Sequence, residues 1–124
     1  MTAWTAGELG KVGAAEELQV ASRRRDGSLG SPRTIWVVRH GDDLYVRSVN
    51  GPTSAWFRGT QQRHEGHIQA GGVSKDVTFA AAAAGIADDL DAAYRTKYRR
   101  YAASIIGHIV SPQARAATLK LVPR

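Results

Sequence analysis

"RTIWVVRHGDDLYVRSV" (residues 33–49) decides the fold. Two runs rich in β-branched and aromatic residues, 33–39 and 44–49, flank the turn-forming "HGDD", and together they predict a hairpin. Side chains alternate along a strand, so Trp36 and Val38 share one face while Ile35 and Val37 share the other. Both faces are therefore apolar. That pattern suits a central strand buried on two sides, or the wall of a barrel that touches a neighbouring subunit.

Upstream, residues 5–16 read as a short helix whose Thr5 and Glu8 have the spacing of a capping box. Residues 17–22 alternate like a strand, and "RRRDGSLGSPR" supplies the glycines and proline of a hairpin connection. Downstream, Asn50-Gly51-Pro52 ends the strand and a short helix follows over 53–62. "HEGHIQAGG" and "KDVTFAAA" predict a second hairpin around Gly71-Gly72. The run Ala80–Ala84 reads as a strand exit into a helix start. Residues 85–109 are expected to be helical, because Ile86, Leu90, Ala93, Tyr94, Lys97 and Tyr98 recur at three- and four-residue steps. Gly107 is expected to interrupt or end that helix, Pro112 follows, and "ATLKLVP" (117–123) closes the chain as a strand. Five to six strands in hairpins with three or four helices predict an α+β chain closed into a small barrel, a closure that removes exposed strand edges.

A length of 124 residues fits one domain spanning 1–124, and 43% hydrophobic with 23% charged residues is ordinary for a globular chain. No apolar run approaches the roughly 20 residues a bilayer span requires, and no signal-peptide h-region opens the chain. With no cysteine, disulfides and thiol chemistry are excluded, and a cytoplasmic location is the expectation. The net charge of +6 gathers in Arg23, Arg24, Arg25 and Arg33, and again in Arg95, Lys97, Arg99 and Arg100. No helix-turn-helix, zinc-finger or RNA-binding signature accompanies these groups, so nucleic acid is not the expected partner and the helical charges read as a solvated face.

Catalytic motifs are absent at the level of sequence. His64 and His67 are three apart in an extended segment, where they point to opposite faces, so no metal site is expected. Ser48, Ser54 and Ser74 lack the Gly-x-Ser-x-Gly elbow. His108 lies in an apolar stretch and reads as a core or interface histidine, and Asp88, Asp89 and Asp91 are explained by the start of a helix. Two segments remain. "RRRDGSLGSPR" gathers arginines, Ser28 and glycine-freed amides of the kind a phosphate needs, or is an exposed basic loop. "SAWFR" (54–58) places Ser54 and Arg58 at a helix start that favours an anion. Trp56 and Phe57 beside them either form a flat wall with Trp36 and Tyr45 or staple the helix to the core.

The order "RRRDGSLGSPRTIWVVRHGDDLYVRSVNGPTSAWFRGT" resembles the bacterial family called domain of unknown function 2255 (DUF2255), with the likeness covering essentially the whole chain. More distantly, over residues 20–124, it resembles the deazaflavin-dependent nitroreductases of the split β-barrel, flavin-binding superfamily. Arg24, Arg25 and Ser28 stand at that family's phosphate loop and Arg33 at the arginine that follows it. Ile35 and Trp36 begin its strand, and Ser54, Ala55, Trp56 and Phe57 fall on its helix motif.

The resemblance implies a small split β-barrel of about six mainly antiparallel strands with flanking helices, working as a homodimer. It implies FMN or the deazaflavin coenzyme F-420 as cofactor, no metal, and hydride transfer to a small unsaturated or nitro-aromatic acceptor. Arg24, Arg25, Ser28 and Arg33 would hold phosphate, Trp36, Trp56 and Phe57 would line the ring, and Ser54 would also belong to the cofactor site. The hydride belongs to the cofactor, so no catalytic side chain is named. Asp26 in the loop and Arg58-Gly59 after the aromatic pair depart from the family pattern. They favour the alternative, a cofactor-free barrel that binds a small hydrophobic ligand or a partner protein.

Overall fold

The computed structural model describes residues 3–83 and 85–124. Its elements in chain order are α1 (Ala6–Ala14), β1 (Leu18–Ser22), β2 (Arg33–Ile35), β3 (Val37–His40), β4 (Asp43–Arg47), α2 (Ala55–Arg63), β5 (Glu65–Ala70), β6 (Val73–Ala81), α3 (Ala87–Lys97), α4 (Ala103–Ile109), α5 (Pro112–Ala116) and β7 (Thr118–Pro123). A short 3-10 turn at Gly51–Thr53 leads into α2. No helix among the described residues is long and apolar enough to cross a membrane.

Every strand pair is antiparallel, in the order β2-β1-β5-β6-β7-β4-β3. The two ends of that order, β2 and β3, are separated in the chain by Trp36 alone. One kinked segment therefore pairs with β1 on one side and with β4 on the other, and the sheet closes on itself. Counted as one strand, that segment gives a six-stranded barrel, and the chain is an α+β split barrel.

The two apolar faces of residues 35–38 follow from this closure. Val37 pairs with Val46, which pairs with Leu119, and all three point into a core that includes Leu18, Val20, Ile68, Val77 and Phe79. Val38 pairs with Tyr45 and points outward, under a second apolar layer made by Leu90, Tyr94 and Tyr98 of the α3 region and Ile106 and Ile109 of α4. The helix α1 adds Leu9 and Val12 to the barrel core. Its Thr5–Glu8 capping box is formed in both directions. Where β5 pairs with β1 the chain needs Gly66, because a Cβ there would lie 2.2 Å from the Ala21 carbonyl and 2.6 Å from the Phe79 ring.

Two expectations are corrected. The strand expected over 33–39 breaks at Trp36, whose ring stacks on Tyr98 with centroids 3.8 Å apart and planes 4° from parallel. The helix expected over 85–109 breaks at 98–102, while Gly107 sits inside α4. The break has a tertiary cause: the Tyr98 hydroxyl donates to the Glu16 carbonyl at 2.9 Å, and the Tyr101 hydroxyl donates to the Glu16 carboxylate. These anchors turn the chain between α3 and α4. Of the alanine run, Ala80 and Ala81 end β6, and Ala84 lies outside the described residues.

Arg47 joins the two layers. Its side chain has no solvent exposure, and its guanidinium donates to Asp91 Oδ1 (2.5 Å), the Ile109 carbonyl (3.1 Å), the Ala87 carbonyl (3.1 Å) and Thr118 Oγ1 (3.0 Å). Removing one partner of such a pair leaves a buried, uncompensated charge. Arg47→Ala or Asp91→Ala is expected to lower unfolding free energy by about 3–5 kcal/mol. Urea titration of each variant against the parent measures it, with Asp88→Ala, at an exposed ion pair, costing under ~1 kcal/mol.

Candidate functional site

The kink at Trp36 opens the barrel wall beside the start of α2. A cavity of about 840 Å³ lies there. Arg33, Ile35 and Trp36 come from the kinked segment, Arg47 and Ser48 from the end of β4, Ser54 and Trp56 from the start of α2, and Ile105, His108 and Ile109 from α4. The loop between β4 and α2 contributes Val49 and Asn50. It is held by Gln113, whose carboxamide donates to the Val49 carbonyl at 3.1 Å. Gly51 permits that approach: its φ is +76°, and a Cβ would stand 3.1 Å from the Gln113 side chain.

Each wall has a distinct chemistry. Trp36, half-buried, is backed by Tyr98 and by a tilted Tyr101 at 5.0 Å, so the indole is braced on the side away from the cavity. Trp56, also half-buried, meets Phe57 edge-on at 6.1 Å. Successive helical residues point about 100° apart, so Phe57 enters the barrel core while Trp56 lines the cavity. Val49 and Ile105, 44% and 47% exposed, form an apolar rim.

The polar groups of the cavity are basic or neutral. Ser48 and Ser54 share a hydrogen bond of 2.7 Å, so the Ser54 hydroxyl leaves the first-turn amides of α2 without a side-chain cap. Arg33 is exposed, and its guanidinium has no hydrogen bond or ion pair among the described residues. Arg47 is neutralised by Asp91. No aspartate or glutamate lines the cavity among the described residues.

Of the residues expected at the site, Arg33, Trp36, Ser54 and Trp56 come together here. Arg24, Arg25 and Ser28 are on the loop between β1 and β2, outside the lining. Arg24 donates to Ser28 Oγ (3.3 Å) and the Leu29 carbonyl (2.9 Å), and Arg25 is exposed. Asp26 accepts from both the Ser28 amide (2.9 Å) and hydroxyl (2.7 Å), and these bonds hold its carboxyl below the usual range. The loop's own carboxylate thus occupies donors that an incoming anion would use. Arg47, Ser48, Ile105 and His108 were not foreseen. An arginine and a serine closing an otherwise apolar strand, "LYVRSV", were the signal for the first two. Among the described residues no group of three metal-ligating His, Asp or Glu side chains is present.

The sequence matches, over residues 8–121, the family described as an uncharacterized protein conserved in bacteria, DUF2255. The chain belongs to that family. No curated protein matches the sequence of this DUF2255 protein. Among solved structures it is similar to an F420 reductase, with a TM-score of 0.60 and 12% identity over 98% of this chain and 94% of that one. It is similar to a proposed 5-nitroimidazole antibiotic resistance protein from Bacteroides thetaiotaomicron VPI-5482, with a TM-score of 0.55, 13% identity and coverage of 99% and 82%. It is also similar to an FAD- and heme-binding protein from Mycobacterium smegmatis, with a TM-score of 0.52 and 18% identity; this chain, 95% covered, spans 65% of that one. At these identities the likeness is one of fold.

The bracing behind Trp36 includes Lys97, whose Nζ donates to the Val37 carbonyl at 2.6 Å and lies 5.1 Å from the centroid of the Tyr98 ring. Burial pushes this amine down to about 8 from its ordinary 10.5. Above pH 8 the folded protein has released a proton that the unfolded chain still holds, so stability rises with pH until the unfolded chain releases it too. Burial raises the Tyr94 and Tyr98 phenols, which reverses the trend where unfolded tyrosines ionise, near pH 10. Urea unfolding measured from about pH 8 to 9.5 is expected to show the increase, and Lys97→Met to flatten it.

Proposed function

We propose that this DUF2255 protein binds a flavin or deazaflavin and acts as an oxidoreductase-like protein toward a small unsaturated or nitro-aromatic acceptor. The observation that carries the reading is the cavity at the Trp36 kink: among the described residues its lining has two half-buried indoles, an Arg33 side chain without a partner and no carboxylate. A planar ring system with an anionic tail fits that donor set, and the volume of about 840 Å³ suits a ligand of that size. The fold similarity to an F420 reductase and to an FAD- and heme-binding protein supports it.

The residues divide the work. Trp36, held by Tyr98 and Tyr101, and Trp56 supply flat apolar surface for a ring. Arg33 and the uncapped amides of α2 favour an anionic group, and Ser54 is placed to exchange its bond to Ser48 for one to ligand. A reduced flavin or deazaflavin supplies the hydride when bound, so the protein's part is orientation and exclusion of water. The exposed apolar rim of Val49 and Ile105 favours cover by a second copy, in line with a homodimer, and a cytoplasmic location completes the reading.

One observation favours a second reading. Asp26 satisfies Ser28, so a phosphate would rest on Arg33 and α2 without help from the preceding loop. A cofactor-free barrel holding a small hydrophobic molecule needs no such loop. Titration of FMN and coenzyme F-420, followed by absorbance, separates the two. Saturable binding, weakened at least about tenfold by Arg33→Ala and by Trp36→Ala, is expected. Absence of binding of either at high micromolar concentration overturns the cofactor reading.

A further inference from the structure

The β5–β6 hairpin carries a second constellation, outside the lining of the cavity. His67 on β5 is the register partner of Asp76 on β6, and Ser74 lies two residues before Asp76, so the three side chains share one face. His67 Nδ1 is 2.8 Å from Asp76 Oδ1, and His67 Nε2 is 2.7 Å from Ser74 Oγ. A carboxylate only accepts, so Nδ1–H donates to Asp76, and in the neutral ring Nε2 accepts the Ser74 hydroxyl proton. Arg23, just beyond β1, donates to the same Asp76 oxygen at 3.2 Å. The His67 hydrogen bond, foremost, and the Arg23 guanidinium hold the Asp76 carboxyl below its usual range.

We propose that Ser74 is an activated nucleophile, with His67 as its base and Asp76 as the positioning carboxylate, and that the site takes small activated acyl esters. The warrant is the relation among the groups: a hydroxyl and a base in hydrogen-bond contact, with the base oriented by a third group through its other nitrogen. The remaining charges around His67 are satisfied: Glu65, two residues along the same face, is occupied by Arg63 at 3.0 Å and Arg124 at 2.8 Å. Ser74 is exposed, and the exposed Gln69 stands directly across from it in register. Among the described residues the Gln69 carboxamide has no hydrogen-bond partner, so it is the donor available to a developing oxyanion.

The chemistry balances within the site. Ser74 Oγ attacks the acyl carbon as its proton passes to His67 Nε2, and the leaving aryl oxide departs with that proton. Water then attacks the acyl-Ser74 ester, gives its proton to His67, and Ser74 Oγ recovers it as the carboxylic acid leaves. The face is open, so the substrate must bring a good leaving group and little bulk that needs enclosing.

A fluorophosphonate probe applied to the full chain tests this, read by intact mass and peptide mapping. One adduct on Ser74 is expected, formed faster than on exposed Ser31 or Ser104 and abolished in Ser74→Ala. His67→Gln is expected to slow labelling at least about tenfold, with circular dichroism confirming the fold. Asp76→Ala is expected to slow it similarly and to remove the Nδ1–H tautomer preference of His67 in ring 15N NMR spectra, a readout that loss of surface packing alone leaves unmoved. Labelling of Ser74 at the rate of the other exposed serines, or an unchanged rate in folded His67→Gln, overturns the proposal.

Discussion

Arg47 is a permanent cation with no access to water, and the outer layer of the protein is arranged around that fact. Stripping a guanidinium of its hydration costs several kcal/mol unless its donors find acceptors in good geometry. Here four acceptors come from three elements: Asp91 and the first carbonyl of α3, the last carbonyl of α4 and the first side chain of β7. A planar fork with five N–H groups can hold four such partners at once, which a lysine ammonium cannot. The start of α3, the end of α4 and the barrel edge are thus fixed relative to one another by one side chain. Asp91 is tied further by Arg115 at 3.4 Å, and Arg115 also reaches Asp88 at 2.9 Å, so the cluster extends to α5.

The cavity depends on this cluster. Its far wall is α4, and Arg47 itself lies in the lining, with its charge balanced by Asp91. The floor is therefore polar in form but neutral in sum, and the net positive character of the cavity belongs to Arg33 at the exposed side. A ligand with an apolar ring and an anionic end would be oriented by that asymmetry, since a buried neutral floor and an unpaired surface cation favour opposite ends of it.

Most of the barrel was legible because it rests on local chemistry. Alternation gave the strands, and glycine-containing turns gave the hairpins at 41 and at 71–72, where Gly41, Gly71 and Gly72 all adopt positive φ. The two apolar faces of residues 35–38 announced a wall buried on both sides. The break at Trp36 and the break at Tyr98–Ala102 were not legible, because no glycine or proline causes them. Both arise where Trp36 stacks on Tyr98 and where Tyr98 and Tyr101 bond to Glu16, contacts that span more than sixty positions in sequence. The site divided along the same line. Arg33, Trp36, Ser54 and Trp56 sit at strand and helix starts that sequence could place. The α4 wall could not be placed without knowing the turn at 98–102. Nor could composition distinguish a loop whose donors are free from one in which Asp26 already holds Ser28.

The hairpin constellation shows a related limit from the other side. A nucleophile elbow is one backbone solution to presenting a serine, and its motif belongs to the folds that use it. A β-hairpin reaches the same relation by register: residues two apart on one strand share a face, and the cross-strand partner lies beside them. Neither Ser74, Asp76 nor His67 carries a motif in the sequence, yet the pairing of β5 with β6 leaves them little freedom to be elsewhere. What the hairpin does not provide is enclosure. An open sheet face keeps water around the developing charge and weakens every electrostatic contribution relative to a buried site. Reactivity there is governed by the proton path through His67 and by the leaving group, whereas the cavity at Trp36 offers walls and no base among its carboxylate-free lining beyond His108. This small barrel thus carries at separate places two things an active site needs: shape at the cavity, and a proton acceptor beside a hydroxyl on the hairpin.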